Sequence, residues 1–142
     1  MELPISGKRL GELIPQKDPI VMLSTLEVFE ETTLQSSFLI TRECIFTQGI
    51  QLTESGLIEH MAQSVALHTG YSYYLQNLPA PVGYIGAIQF VEIYCLPKIG
   101  ERVFSEVQII QEFMGVTLVE IITKLDGEII AKAKMKTVIA VT

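Results

Sequence analysis

The sequence predicts an α+β fold in which a curved antiparallel sheet wraps one long helix. Three observations carry this expectation. Two β-rich runs precede a stretch, 53–75, that has apolar or small residues on nearly every helical face; four β-rich runs follow it; and the pairs Met114-Gly115 and Asp126-Gly127 punctuate those later runs as turns. A helix apolar all round belongs in an interior, and a single one among antiparallel strands needs a sheet bent around it.

The chain has 142 residues, enough for one compact domain over 1–142 that hides roughly two thirds of its unfolded surface. Its 49% hydrophobic content supplies the core and excludes intrinsic disorder.

Taken in order, 6–14 makes a short helical turn, which Pro15 and Pro19 stop, and a strand begins near Pro19. The runs 20–30 and 33–40 are rich in Val, Ile, Leu, Phe and Thr and form a hairpin about the polar Glu30-Glu31-Thr32. Residues 42–51, with Gly49 inside, read as a loop carrying a short strand. At Thr53 the pattern changes: Thr53 is an N-cap, Glu54 favours the positive helix end, and Leu52 with Leu57 has the spacing of a hydrophobic staple. The helix runs to about Leu75, before Asn77 and Pro79. Four strands follow at 82–95, 102–113, 116–125 and 128–141, with a turn at Pro97-Lys98-Ile99-Gly100, and they form an antiparallel meander.

Charge narrows the function. Ten Lys and Arg against 16 Asp and Glu give −6 with no basic cluster, which argues against a nucleic-acid partner held by phosphate contacts. Residues 60–91 carry no formal charge, but Gln63, His68, Gln76, Asn77, Pro79 and Pro81 interrupt them, so no membrane span is expected. The first residues have an early acid and no apolar signal core, and the expected location is the cytoplasm. Cys44 and Cys95 lie far apart without CxxC spacing and are expected to be buried thiols. There is no HxxxH pair, Ser-His-Asp order or glycine-rich phosphate loop, so no metal, nucleotide or other cofactor is implied.

Glu59 fits worst with its neighbours, standing among Gly56, Leu57, Ile58, Met61 and Ala62. Glu59, Gln63, Ala66 and Gly70 share a narrow stripe of the helix, an acid and an amide above two small residues, along which a channel can run. The plainer alternative has Ala66 and Gly70 letting the helix press on the sheet while Glu59 favours the positive helix end. His60 and His68 are about 80° apart on the helix, and His68 is about 180° from Glu59, so neither makes a dyad with it; a hydrogen-bonded structural role is the alternative. Lys132, Lys134 and Lys136 alternate on one side of the last strand, as a docking surface, a solvated face or an edge guard.

Three strings resemble the hot-dog fold and, within it, the β-hydroxyacyl-acyl-carrier-protein dehydratases, in particular the small branch found in aryl polyene and similar pigment pathways. The string Ile14-Pro15-Gln16-Lys17-Asp18-Pro19 is similar to the opening Pro-His-x-x-Pro motif, with Gln16 in the histidine position. The string Gly56-Leu57-Ile58-Glu59-His60-Met61-Ala62-Gln63 is similar to the helix that begins with the family's acid. Gly83-Tyr84-Ile85-Gly86-Ala87-Ile88-Gln89-Phe90, followed by Pro97-Lys98-Ile99-Gly100-Glu101, resembles the strand and turn that frame the acyl channel. The Gly-His-Phe-Pro loop of general dehydratases is here Phe46-Thr47-Gln48-Gly49-Ile50, without its histidine.

The resemblance implies a base that takes the α-proton of a 3-hydroxyacyl thioester and an acid that protonates the departing hydroxyl. By position Glu59 is the acid. Gln16 takes the place of the base but can only hydrogen-bond, and His60 replaces it only if the helix start is distorted. Backbone N–H groups at the helix start polarise the thioester carbonyl. Gln63, Ala66, Gly86 and Ala87 fall to the substrate channel. The implied partners are an acyl carrier protein or CoA thioester and a second hot-dog subunit, identical in a homodimer or different in a heterodimer; the mean hydropathy of +0.39 agrees with a further buried interface. Two other readings stay open: acyl-thioester hydrolysis with Glu59 orienting water, and a non-catalytic acyl-binding subunit.

Overall fold

The computed structural model describes residues 2–140. Strand β1 (Ile5–Ser6) and helix α1 (Gly7–Gly11) open the chain, followed by β2 (Thr25–Phe29) and β3 (Thr33–Leu39). The loop after β3 holds a miniature hairpin of β4 (Thr47–Gln48) and β5 (Gln51–Leu52), turned at Gly49 with φ +63°. Helix α2 (Glu54–Leu75) comes next, then β6 (Gly83–Ile93), β7 (Arg102–Phe113), β8 (Val116–Leu125) and β9 (Glu128–Ile139). The end of the last strand expected at Val141 lies outside the described residues.

Seven strands form one antiparallel sheet in the order β1-β2-β3-β7-β8-β9-β6. The expected meander holds for β7, β8 and β9, whose turns at Met114-Gly115 and Asp126-Gly127 have positive φ at both residues, the geometry that matches strand twist. Strand β6 departs from it: it pairs with β9, beyond the meander, and becomes the sheet edge. The lysine-bearing β9 is therefore an interior strand, which removes the edge-guard role; Lys134 lies 4.0 Å from Glu120 on the outer face.

Period-two burial shows which side faces the helix. Val103, Ser105 and Val107 of β7, Val119, Ile121 and Thr123 of β8, and Ala131, Ala133 and Met135 of β9 are all buried. Against them α2 sets Leu57, Met61, Ser64 and Leu67. The helix begins as expected: Thr53 Oγ1 accepts from the Gly56 N–H at 3.2 Å and donates to the Phe46 carbonyl at 2.7 Å, and Leu52 and Leu57 are fully buried. It ends in a left-handed Asn77.

The core contains a polar seam with one consistent direction of donation. A carbonyl only accepts, so His60 Nδ1, 2.7 Å from the Met22 oxygen, carries the proton. Burial favours the neutral ring, so Nε2 accepts from Ser105 Oγ at 2.8 Å, and Ser105 in turn accepts from Thr123 Oγ1 at 2.7 Å. Beside it Ser64 donates to the His60 carbonyl and accepts from Ser36. Burial, only partly offset by the Met22 hydrogen bond, lowers the His60 pKa to about 4.

The strand expected from Pro19 starts only at Thr25. Residues 20–22 instead give their hydrogen bonds to α2 side chains: Gln63 Oε1 accepts from the Met22 N–H at 2.7 Å, Gln63 Nε2 donates to the Ile20 carbonyl at 2.9 Å, and His60 donates to the Met22 carbonyl. The chain leading into this stretch crosses α2 at Gly70, where an added Cβ would lie 1.7 Å from the Leu13 carbonyl oxygen. Gly70 thus admits this crossing segment rather than the sheet. Of the two thiols, Cys44 is buried but Cys95 is exposed just after the edge strand, contrary to expectation.

Gly70→Ala should lower stability by about 1–3 kcal/mol, because the methyl meets backbone that cannot rotate away; a shift in urea midpoint at unchanged m-value checks this. The low His60 pKa makes stability pH-dependent. The unfolded ring protonates near 6.5 and the folded ring only near 4, so its contribution is complete above pH 6.5 and is lost as pH falls toward 4. His68, also lowered by burial, acts with the same sign. Urea unfolding at pH 7 and pH 5 should differ by about 2 kcal/mol from His60 alone, and equal stabilities would contradict a buried neutral ring.

Candidate functional site: a cavity beside the open face of the helix

One face of α2 is not covered by the sheet. Glu59, Ala62, Ala66 and Thr69, spaced i, i+3, i+7 and i+10, are each half-buried, and they form one wall of a cavity of about 300 Å³. Ten residues of helix give this wall a length of about 15 Å. Pro15 and Gln16 of the crossing segment close one side. The sheet closes the other with Tyr84 and Ile85 at the start of β6, Thr117 of β8 and Thr137 of β9. Thr117 and Thr137 stand opposite one another in the β8–β9 register.

Glu59 is the only carboxylate on the lining among the described residues, and Tyr84 is the only other ionisable group there. Its orientation is set from behind. Gln63 Oε1 is fixed as the oxygen by the Met22 N–H it accepts, so Nε2 has two protons to give, one to Ile20 and one to Glu59 Oε2 at 2.9 Å. Glu59 Oε1 has no hydrogen bond from the described residues and is the oxygen left for a ligand. Gln16 is on the same lining, and its Oε1 is buried without a hydrogen-bond partner among the described residues. Such an acceptor costs roughly 1–3 kcal/mol while unpaired and regains that when a donor arrives.

Glu59, Gln16 and Ala66 are therefore brought to one cavity, while the other singled-out residues are not. Gln63 is fully buried behind Glu59 and holds it rather than lining the cavity. Gly86 sits at a bulge in β6, its missing Cβ against Val138 Cγ2, and neither it nor Ala87 lines the wall. His60 is fully buried with both ring nitrogens engaged, so the geometry for a substitute base is absent. His68 stacks on Phe29 and bonds the Glu30 carbonyl, away from the cavity. The first-turn N–H groups are not at the cavity either: Thr53 caps the turn and Gly56 packs on Phe46 and Leu52.

Ala62 and Thr69 were within reach of sequence reasoning, since the stripe through Glu59 at i+3 and i+10 names them; the stripe through Gln63 and Gly70 is the neighbouring one, which the crossing segment covers. Tyr84, Thr117 and Thr137 carried no local signal, because strand register and the position of β6 beyond β9 bring them there. Among the described residues no group of three or more His, Cys, Asp or Glu side chains is placed to hold a metal, and no helix is long and apolar enough to cross a membrane.

A family model described as "ApeP-like: ApeP dehydratase" matches residues 8–140. No curated protein sequence matches. Among solved structures, a chain of the dehydratase heterocomplex ApeI:P from Xenorhabdus doucetiae superposes with TM-score 0.88 at 14% identity, covering 100% of this chain and 94% of that one. An uncharacterised protein from Pyrococcus horikoshii gives TM-score 0.70 at 11% identity, with 99% and 97% coverage. A hypothetical thioesterase from Streptococcus pneumoniae, solved with coenzyme A, gives 0.59 at 7% identity, with 81% and 84% coverage. At these identities the likenesses establish the hot-dog fold.

Gln63→Leu should cost about 1–3 kcal/mol, since it strands the Met22 N–H in the interior and removes the donor of the half-buried Ile20 carbonyl. Glu59→Gln, at the cavity wall and still able to accept from Gln63, should change stability by less than about 0.5 kcal/mol. Paired denaturation curves of the two variants check both.

Proposed function

This chain belongs to the ApeP-like dehydratase family, and we propose that it is a 3-hydroxyacyl-thioester-binding subunit of a dehydratase, supplying the acid but not the base. The observation that carries this reading is the pair of side chains on one cavity lining: a carboxylate with one oxygen free and an amide whose oxygen is buried without a donor. A 3-hydroxyacyl thioester offers what both lack. With the Gln16 amide turned toward the cavity its hydroxyl donates to Oε1, its oxygen takes the proton of Glu59 in the carboxylic acid form as it departs as water, and its tail lies along Ala62, Ala66 and Thr69.

Dehydration also needs a group to take the α-proton. Gln16 has no basic lone pair near neutral pH, and the two histidines are committed elsewhere. The base then comes from a second subunit set against the open face of α2 and the edge strand β6, where Tyr84, Ile88 and Phe90 are exposed. The ApeI:P relative is a heterocomplex, which supports a companion different from this chain, with an acyl carrier protein delivering the substrate in the cytoplasm. The lone carboxylate and the likeness to a thioesterase solved with coenzyme A favour a second reading, thioester hydrolysis with Glu59 orienting water.

The test is binding and turnover of a 3-hydroxyacyl-CoA and the matching saturated acyl-CoA. The chain alone should bind the hydroxylated thioester about 3–10-fold more tightly, Gln16→Leu should erase that preference, and no enoyl product should form. Enoyl formation by the chain alone would overturn the missing base. Thiol release that disappears in Glu59→Gln would establish hydrolysis instead.

A further inference from the structure

We infer that His60, although it lies outside the cavity, is the positioning residue that sets where Gln16 stands opposite Glu59. The inference deepens the binding role proposed above and rests on it. Gln16 belongs to a segment that crosses α2 from Gly70, where Leu13 makes contact, to His60 and Gln63, where residues 20–22 are held. The segment has no strand neighbour between these points. Its near end is tied by Lys17, whose ammonium donates to the carbonyls of Gly11 at 2.8 Å and Ile14 at 3.3 Å. The turn after Gln16 is closed by the Ile20 N–H on the Lys17 carbonyl. Its far end is tied at Met22 from both sides, the N–H by Gln63 and the carbonyl by His60.

Gln63 alone leaves this tie on the helix. His60 extends it to the sheet, because its second nitrogen is held by Ser105 of β7, itself held by Thr123 of β8. A line of donors from Thr123 through Ser105 and His60 to Met22 thus makes the rigid sheet the reference against which the segment is placed. Gln63 also touches Glu59 directly. The acid and the amide are in this way registered to one another through two neighbouring helical side chains, Gln63 reaching Glu59 and His60 reaching the sheet.

The test uses the full chain with two readouts. The first is the ratio of dissociation constants for saturated acyl-CoA and 3-hydroxyacyl-CoA. His60→Leu should lower that ratio at least threefold, to the value of Gln16→Leu, while saturated-thioester affinity stays within twofold. The double variant should be no worse than Gln16→Leu alone. His60→Asn, which keeps an N–H within reach of the Met22 carbonyl, should recover part of the loss. A merely structural residue would weaken both ligands together and add to Gln16→Leu.

The second readout is native-state hydrogen exchange at the Met22 amide, which needs no ligand and should quicken at least tenfold in His60→Leu while β7 and β8 stay protected. An undiminished ratio in His60→Leu, in a protein where Gln16→Leu loses it, overturns the inference and leaves the binding role standing. Wild-type protein without any preference overturns the binding role, and Met22 exchange then decides the clamp: an unchanged rate refutes it. If His60→Leu does not fold, Ser105→Ala, which cuts the line between His60 Nε2 and Thr123 and leaves the His60–Met22 bond, carries the same two measurements.

Discussion

The backbone of residues 20–22 runs from an exposed Ile20 to a buried Met22 without a strand beside it, and two side chains of a helix supply the hydrogen bonds a strand would have supplied. Leaving the Met22 N–H and carbonyl unpaired in the interior is expensive, so the solution constrains much else. It explains why a helix surrounded by apolar neighbours carries Gln63 and His60 on its covered side. It also explains why the helix can approach the segment so closely at Gly70, where any side chain would collide with the Leu13 carbonyl.

The consequence for the cavity is geometric. The sheet packs on one side of α2 and the crossing segment on a second, which leaves the stripe from Glu59 to Thr69 facing the cavity. A carboxylate there can be solvated or bound to a ligand, while its orientation is still dictated by a buried amide. The edge strand β6 adjoins this stripe and is exposed along most of its length, with apolar side chains among the exposed ones. Edges and apolar patches of this kind are surfaces on which another chain can add, and the start of the same strand lines the cavity.

Burial separates the two histidines of α2 from the chemistry. His60 is neutral because it is dry, and being neutral it has one donor and one acceptor to connect backbone with sheet. A protonated ring would have two donors and no acceptor for Ser105. The residue sits next to Glu59 in the chain, yet the 100° turn between neighbours points it into the core.

Much of the fold was legible from local signals. The bounds of β7 and β8 follow from alternation and turn pairs, and the start of α2 follows from Thr53, Glu54 and the Leu52–Leu57 spacing, because each of these is a short-range energetic preference. Glu59 and Gln16 stood out for what they are in their strings. What sequence could not decide were contacts between distant segments: β6 beside β9 rather than within the meander, Thr117 opposite Thr137, Gly70 against Leu13, Gln63 turned inward to Ile20 and Met22. The first two depend on which strands pair, and the last two on which of two adjacent helical stripes a segment more than forty residues away comes to cover; no local preference encodes either, and only the tertiary packing, by satisfying buried backbone groups, selects them.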